Sequence, residues 1–125
     1  MKRLSESEFE IMKILWSRDN AMTSNEILDE IKVQRDWKLA SLMAALARMV
    51  EKGYVYCDRS TRTNYYTAVV EEEQYKVGES QQLLDKLFNK SAAKLIASLY
   101  NGKKFSDKDI EELKTYINSL EEKDN

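Results

Sequence analysis

The chain has no proline, no histidine, one cysteine and only three glycines among its 125 residues. Without histidine, the commonest general base and the commonest imidazole metal ligand are missing. Cys57 has no partner for an internal disulfide and cannot alone build a thiolate metal site. Nowhere is there a run of about 18 apolar residues, so no membrane insertion is expected. The start, Met1-Lys2-Arg3 followed by polar and acidic residues, lacks the apolar stretch of a secretion signal, and the expected location is cytoplasmic. Carboxylate chemistry remains open to the 22 acidic residues, but almost all of them stand beside lysines on helical faces, the pattern of a solvated surface. No enzyme activity, metal or cofactor is expected. Neither internal repeats nor low-complexity segments occur.

What the chain does have is a gathering of positive charge. The net charge is −2. Residues 1–70 carry a net of +1 and residues 71–125 a net of −3. Within residues 32–62 seven bases (Lys32, Arg35, Lys38, Arg48, Lys52, Arg59, Arg62) face three acids (Asp36, Glu51, Asp58). A local basic patch is the electrostatic footprint of a nucleic-acid site.

The patch surrounds one stretch, Trp37 to Gly53. Leu39, Leu42, Leu46, Met49 and Val50 recur at three- and four-residue spacing, which predicts an amphipathic helix. Lys38, Ser41, Ala45, Arg48 and Lys52 fall mainly on another side. Alanines favour the helix, and Gly53 supplies its stop. Upstream, Ser5-Glu6-Ser7-Glu8 reads as a capping box opening a helix to Trp16, with Phe9, Met12 and Trp16 in one line. Trp16 is read as a core anchor. Thr23-Ser24-Asn25-Glu26 is a second capping box, and Ile27, Leu28 and Ile31 give its helix an apolar face. Ala21-Met22 suggests a very short strand.

After Gly53 the period changes to two. Tyr54–Asp58 and Tyr65–Val70 are rich in strand formers and flank a polar, twice-basic tip, residues 59–64, which predicts a hairpin. Cys57 shares a strand face with Val55 and is read as a small buried hydrophobe. Three helices and a basic-tipped hairpin follow the order of a winged helix-turn-helix over residues 1–70, whose third helix would read the major groove of double-stranded DNA. The expected DNA-contacting residues are Lys38, Ser41, Leu42, Met43, Ala44 and Arg48 on that helix and Arg59, Thr61, Arg62 and Thr63 on the wing. Asn64 could add a hydrogen bond.

Residues 71–125 read as a helical dimerisation subdomain, so the fold class is mainly α with a small β-hairpin. Helices are expected from Glu71 to about Asn89, from Ser91 to Asn101-Gly102, and from Ser106 onward, with residues 121–125 frayed. Leu84, Leu87, Phe88, Leu95, Leu99, Ile110, Leu113, Ile117 and Leu120 form their apolar faces. A 55-residue helical tail with such stripes needs a partner, and a homodimer is expected.

The segments Glu6–Trp16 (E-S-E-F-E-I-M-K-I-L-W), Met22–Ile31 (M-T-S-N-E-I-L-D-E-I) and Leu46–Gly53 (L-A-R-M-V-E-K-G) resemble the penicillinase-repressor family, BlaI/MecI, which also contains the CopY copper-responsive repressors. Residues 108–113, K-D-I-E-E-L, resemble the family's last helix. The resemblance implies a dimeric winged-helix repressor on a palindromic operator. It also implies an inducing pathway in which a membrane sensor protease triggers cleavage within the dimerisation domain, commonly at an Asn-Phe bond. Ser98-Leu99 aligns there, apolar second residue kept and asparagine not. The copper branch's paired C-x-C motif is absent, so metal sensing is not carried over.

A second departure lies in the reader. Where the family usually places Thr and Lys or Arg, this chain has Ala40-Ser41-Leu42-Met43-Ala44. Direct readout of guanine would be sparse, and contacts to thymine methyls remain open to Met43 and Ala44. The expected operator therefore differs from the family's, toward AT-rich sequence, with the wing and phosphates carrying much of the affinity. The alternative is a winged-helix protein-interaction module that docks a protein through Leu42, Met43 and Ala44 without specific DNA binding.

Overall fold

The computed structural model describes residues 2–124. Helix α1 (Glu6–Trp16) and helix α2 (Ser24–Ile31) both open on capping boxes, as their sequences predict. In the first, the Ser5 hydroxyl accepts from the Glu8 amide at 3.3 Å and the Ser5 amide donates to Glu8 Oε1 at 2.8 Å. In the second, Thr23 and Glu26 do the same at 3.2 and 2.9 Å. Each box satisfies amides that the first helical turn leaves without carbonyl partners.

Helix α3 (Leu39–Glu51) is shorter at both ends than the 37–53 stretch suggested. Lys38 is extended, with ψ 161°, and serves as the N-cap without a side-chain hydrogen bond. Gly53 follows the helix at φ +86°, a left-handed conformation that costs glycine little, and turns the chain into strand β1 (Val55–Asp58). Strand β2 (Tyr65–Ala68) returns antiparallel, in a register that pairs Val55 with Ala68 and Asp58 with Tyr65. Where Ala21-Met22 suggested a very short strand, Met22 alone pairs with Tyr66 as an isolated antiparallel bridge. Its amide donates to Tyr66 O at 3.0 Å and its carbonyl accepts from Tyr66 N at 2.7 Å.

One core joins these elements: Ile11, Met12 and Leu15 of α1, Ile27 and Ile31 of α2, Leu42, Ala45, Leu46 and Met49 of α3, then Tyr54, Val55, Tyr66 and Val70. Ala45 lies here rather than on the polar side, because it stands three residues after Leu42 and four before Met49, which points it inward. Leu39 is the reverse case, 43% exposed at the helix entrance. Cys57 is half-buried against the core. Trp16 anchors the end of α1, its indole N–H donating to Val70 O at 2.9 Å.

Helix α4 (Glu72–Phe88) begins where the acidic run Glu71-Glu72-Glu73 predicts. Its Tyr75 closes an aromatic cluster, with ring centroids 5.8 Å from Phe9, 5.9 Å from Trp16 and 5.8 Å from Tyr54. The chain divides into two compact units after Val77, seven residues beyond the composition change at 70. Tyr75 explains the displacement, because it buries its ring in the first unit.

The second unit holds the rest of α4, helix α5 (Ala92–Asn101) and helix α6 (Asp107–Asp124). Ser91 caps α5, its hydroxyl accepting from Lys94 N at 3.1 Å. Helix α5 ends at Asn101-Gly102 as expected, with Gly102 as the C-cap at φ −80° and Lys103 taking the left-handed conformation at φ 61°. Helix α6 continues through the stretch expected to fray as far as Asp124, and Asn125 lies outside the described residues.

Candidate nucleic-acid interface

Two turns of α3 face the core, and the opposite side faces solvent. Leu39, Ala40, Ser41, Met43, Ala44, Ala47, Arg48 and Glu51 are exposed. Lys38, Ser41, Met43, Ala44 and Arg48, expected to contact DNA, are all exposed. Leu42 is not: it is fully buried, and its place in the interface is corrected. The side chains that make the core also set the helix's rotation, and Leu42 stacks one turn from Ala45 and Leu46 on the inward face. The three-residue docking face of Leu42, Met43 and Ala44 loses its first member for the same reason. Leu39, Ala40 and Ala47, which the sequence reading did not select, belong to the exposed face. Their signal was available in the 100° step from Leu42, read outward instead of inward.

The cations around this face are not equivalent. Arg35 is paired with Glu10 of α1, and its guanidinium lies 5.8 Å from the Trp37 ring. Lys52 Nζ sits 2.7 Å from Glu8 Oε1, and Arg48 Nε sits 3.4 Å from Glu8 Oε2. Glu8 itself is fully buried. Burial alone pushes its carboxyl pKa up, but hydrogen bonds from Lys52 and Ser5 and the charge of Lys52 outweigh that effect and hold it below the ordinary value. Three of the seven bases in residues 32–62 therefore serve the fold. Among the described residues, Lys32, Lys38, Arg59 and Arg62 are exposed and enter no ion pair, and they are the cations left to meet phosphate.

The wing presents Arg59 and Arg62 on a tip that is ordered by its own polar groups. Asp58 Oδ1 accepts from the Ser60 amide at 2.9 Å, and the Thr61 hydroxyl donates to Thr63 O at 2.8 Å. Hydrogen bonds from the Ser60 hydroxyl and then the Ser60 amide hold the Asp58 carboxyl below its usual value. Thr63 is exposed beside them and Asn64 is half-buried. At the other end of the reader, the first turn of α3 has neither an acidic residue nor a side-chain cap, in contrast to α1 and α2. Its leading amides and positive dipole end are open to water or to a phosphate oxygen.

In the second unit, no described residue is buried. Leu84, Phe88, Leu95, Ile110 and Leu113 are half-buried, while Leu87 (65%), Leu99, Ile117 and Leu120 are exposed. The Ser98-Leu99 peptide lies inside α5, with Ser98 O accepting from Gly102 N at 3.0 Å. A protease could take this bond in an extended active site only after the helix opened locally. Among the described residues no cluster of His, Cys, Asp or Glu could hold a metal ion, and no helix is long and apolar enough to cross a membrane.

Comparison with known proteins agrees with this geometry. The methicillin resistance regulatory protein MecI of Mammaliicoccus sciuri is 28% identical over 115 residues, which cover 92% of this chain and 93% of that protein. The penicillinase repressor of Bacillus licheniformis is 24% identical over 89% of this chain and 86% of its own length. Among solved structures, the DNA-binding domain of the repressor BlaI superposes with a TM-score of 0.52 at 27% identity, covering 60% of this chain and 94% of that one. The monomeric form of Bacillus licheniformis BlaI, in complex with the blaP half-operator, gives a TM-score of 0.51 at 26% identity, covering 59% and 89%. The penicillinase repressor family itself matches residues 4–119, through both units, and the chain belongs to that family.

Proposed function

We propose that this protein is a transcriptional repressor that occupies a palindromic promoter operator as a homodimer, in the cytoplasm. The observation that carries the reading is an exposed α3 face in a unit whose Lys32, Lys38, Arg59 and Arg62 are exposed and, among the described residues, enter no ion pair. The likeness to a BlaI structure bound to a half-operator supports placing α3 in the major groove. The unburied apolar stripes of the second unit support pairing with a second copy. Loss of that pairing would release DNA, because two linked half-site contacts become one. Cleavage by a sensor-protease pathway at Ser98-Leu99 is one route to that loss.

Selection of bound duplexes from a random pool, at roughly physiological salt, tests the reading. The expected product is an inverted repeat whose half-sites lie about one helical turn apart. Recovery of no motif overturns it and favours a protein-docking role for the α3 face.

Arg62→Ala gives a second check. Arg62 is exposed on the wing tip and has no carboxylate partner. Its loss should weaken binding to all duplexes alike and reduce the slope of log affinity against log salt by about one unit. A changed base preference with an unchanged slope would mean that Arg62 reads bases instead.

A further inference from the structure

The exposed face of α3 is short of hydrogen-bonding groups. From Leu39 to Ala47 it presents Leu39, Ala40, Ser41, Met43, Ala44 and Ala47. Ser41 is the sole member with a polar side chain. Arg48, the next polar residue along the face, has its guanidinium drawn to the buried Glu8 carboxylate at 3.4 Å. Glu51, at the far end, carries the wrong sign for phosphate. The main chain cannot compensate, because interior helical amides and carbonyls are already paired with one another.

The major groove offers such a face one apolar feature, the C5-methyl group of thymine. Every other feature of the base edges is a donor or an acceptor. An alanine-rich helix laid on guanine or cytosine edges would strip their water and return no hydrogen bond, which is unfavourable. Laid on thymines, it would bury methyl against methyl. Ala40, Ala44 and Ala47 lack bulk beyond Cβ, so the helix can approach the groove floor closely, and Met43 adds one long adaptable side chain.

We propose that the half-site specificity of this protein is carried by contact of the Ala40, Met43, Ala44 and Ala47 side chains with thymine methyl groups. This rests on the DNA-binding reading above. The unpaired cations Lys32, Lys38, Arg59 and Arg62 hold the helix on the duplex, and the apolar face selects the register.

The test removes methyl groups alone. In the selected duplex, each thymidine is replaced in turn by deoxyuridine, which keeps the O4 acceptor and the base pairing. At two or more positions per half-site, affinity should fall about fourfold, the value expected for one methyl-sized group no longer buried. In the Met43→Ala variant one of these penalties should vanish, while the salt slope stays as in the parent protein. If a motif is selected and uracil is tolerated at every position, methyl readout is overturned and DNA binding stands. If no motif is selected, both are overturned.

Discussion

A chain carrying Leu87→Asp and Ile117→Asp should sediment as a monomer and bind its operator roughly 100-fold more weakly, the low end of what linking two binding modules contributes. The argument starts from burial. Leu87 is 65% exposed and Ile117 is 42% exposed within the single chain, and no described residue of the second unit is buried. A unit of 48 residues, Gly78 to Asn125, has too little interior to stand alone. Each leucine or isoleucine covered by a second copy would contribute about 1.5–3 kcal/mol, and an aspartate in its place would be desolvated without a partner. Because both side chains already meet solvent, the substitutions leave the winged helix unharmed, and its unfolding temperature should not move. Sedimentation velocity and operator titration check the two halves of the expectation. A variant that remains dimeric removes these faces from the interface.

Glu8→Ala should lower the unfolding temperature of the first unit by roughly 12–24 °C. The carboxylate accepts from the Ser5 amide at 2.8 Å and meets Lys52 Nζ at 2.7 Å and Arg48 Nε at 3.4 Å, all from a fully buried position. Breaking a buried ion pair from one side costs about 3–5 kcal/mol. The lower end applies, since Lys52 and Arg48 keep some access to water and can rehydrate. For a domain of this size 1 kcal/mol moves the midpoint by about 4–8 °C. A shift under about 5 °C, read by circular dichroism, would show that the network contributes little.

The same network fixes a pH dependence. The folded carboxyl pKa lies below the ordinary 4.5, so its contribution is complete above that value and is lost as pH falls through the depressed folded pKa. Stability measured from pH 7 downward should therefore decline less steeply in Glu8→Gln than in the parent chain.

Glu8, Arg48 and Lys52 also show what was legible in the sequence. They belong to the segments that carry the family resemblance, E-x-x-I-M-x-x-L-W and R-x-V-x-K-G, yet as letters they read as surface charge. Only the fold reveals that the glutamate is buried and that two cations of the basic patch, Arg48 and Lys52, answer to it. The helices and the hairpin were readable, because capping boxes and hydrophobic period are local signals. Leu42 was misplaced because a helix's rotation is decided by what packs against it, from elements distant in sequence. The unit boundary moved for the same kind of reason: Tyr75 looks like part of a polar helix until its ring is found among Phe9, Trp16 and Tyr54.

Tyr54 hydroxyl donates to Lys2 O, Lys52 Nζ to Arg3 O, and Trp16 to Val70 O. Each bond ties the opening of the first unit to a residue about fifty places later. During synthesis the stripe of α1 can pack on α2 and α3 as they emerge, but its cover is complete only when β2 and the first turn of α4 have left the ribosome. The winged helix is thus completed late, and in the interval the apolar side chains of its helices depend on each other or on a chaperone for shelter from aggregation.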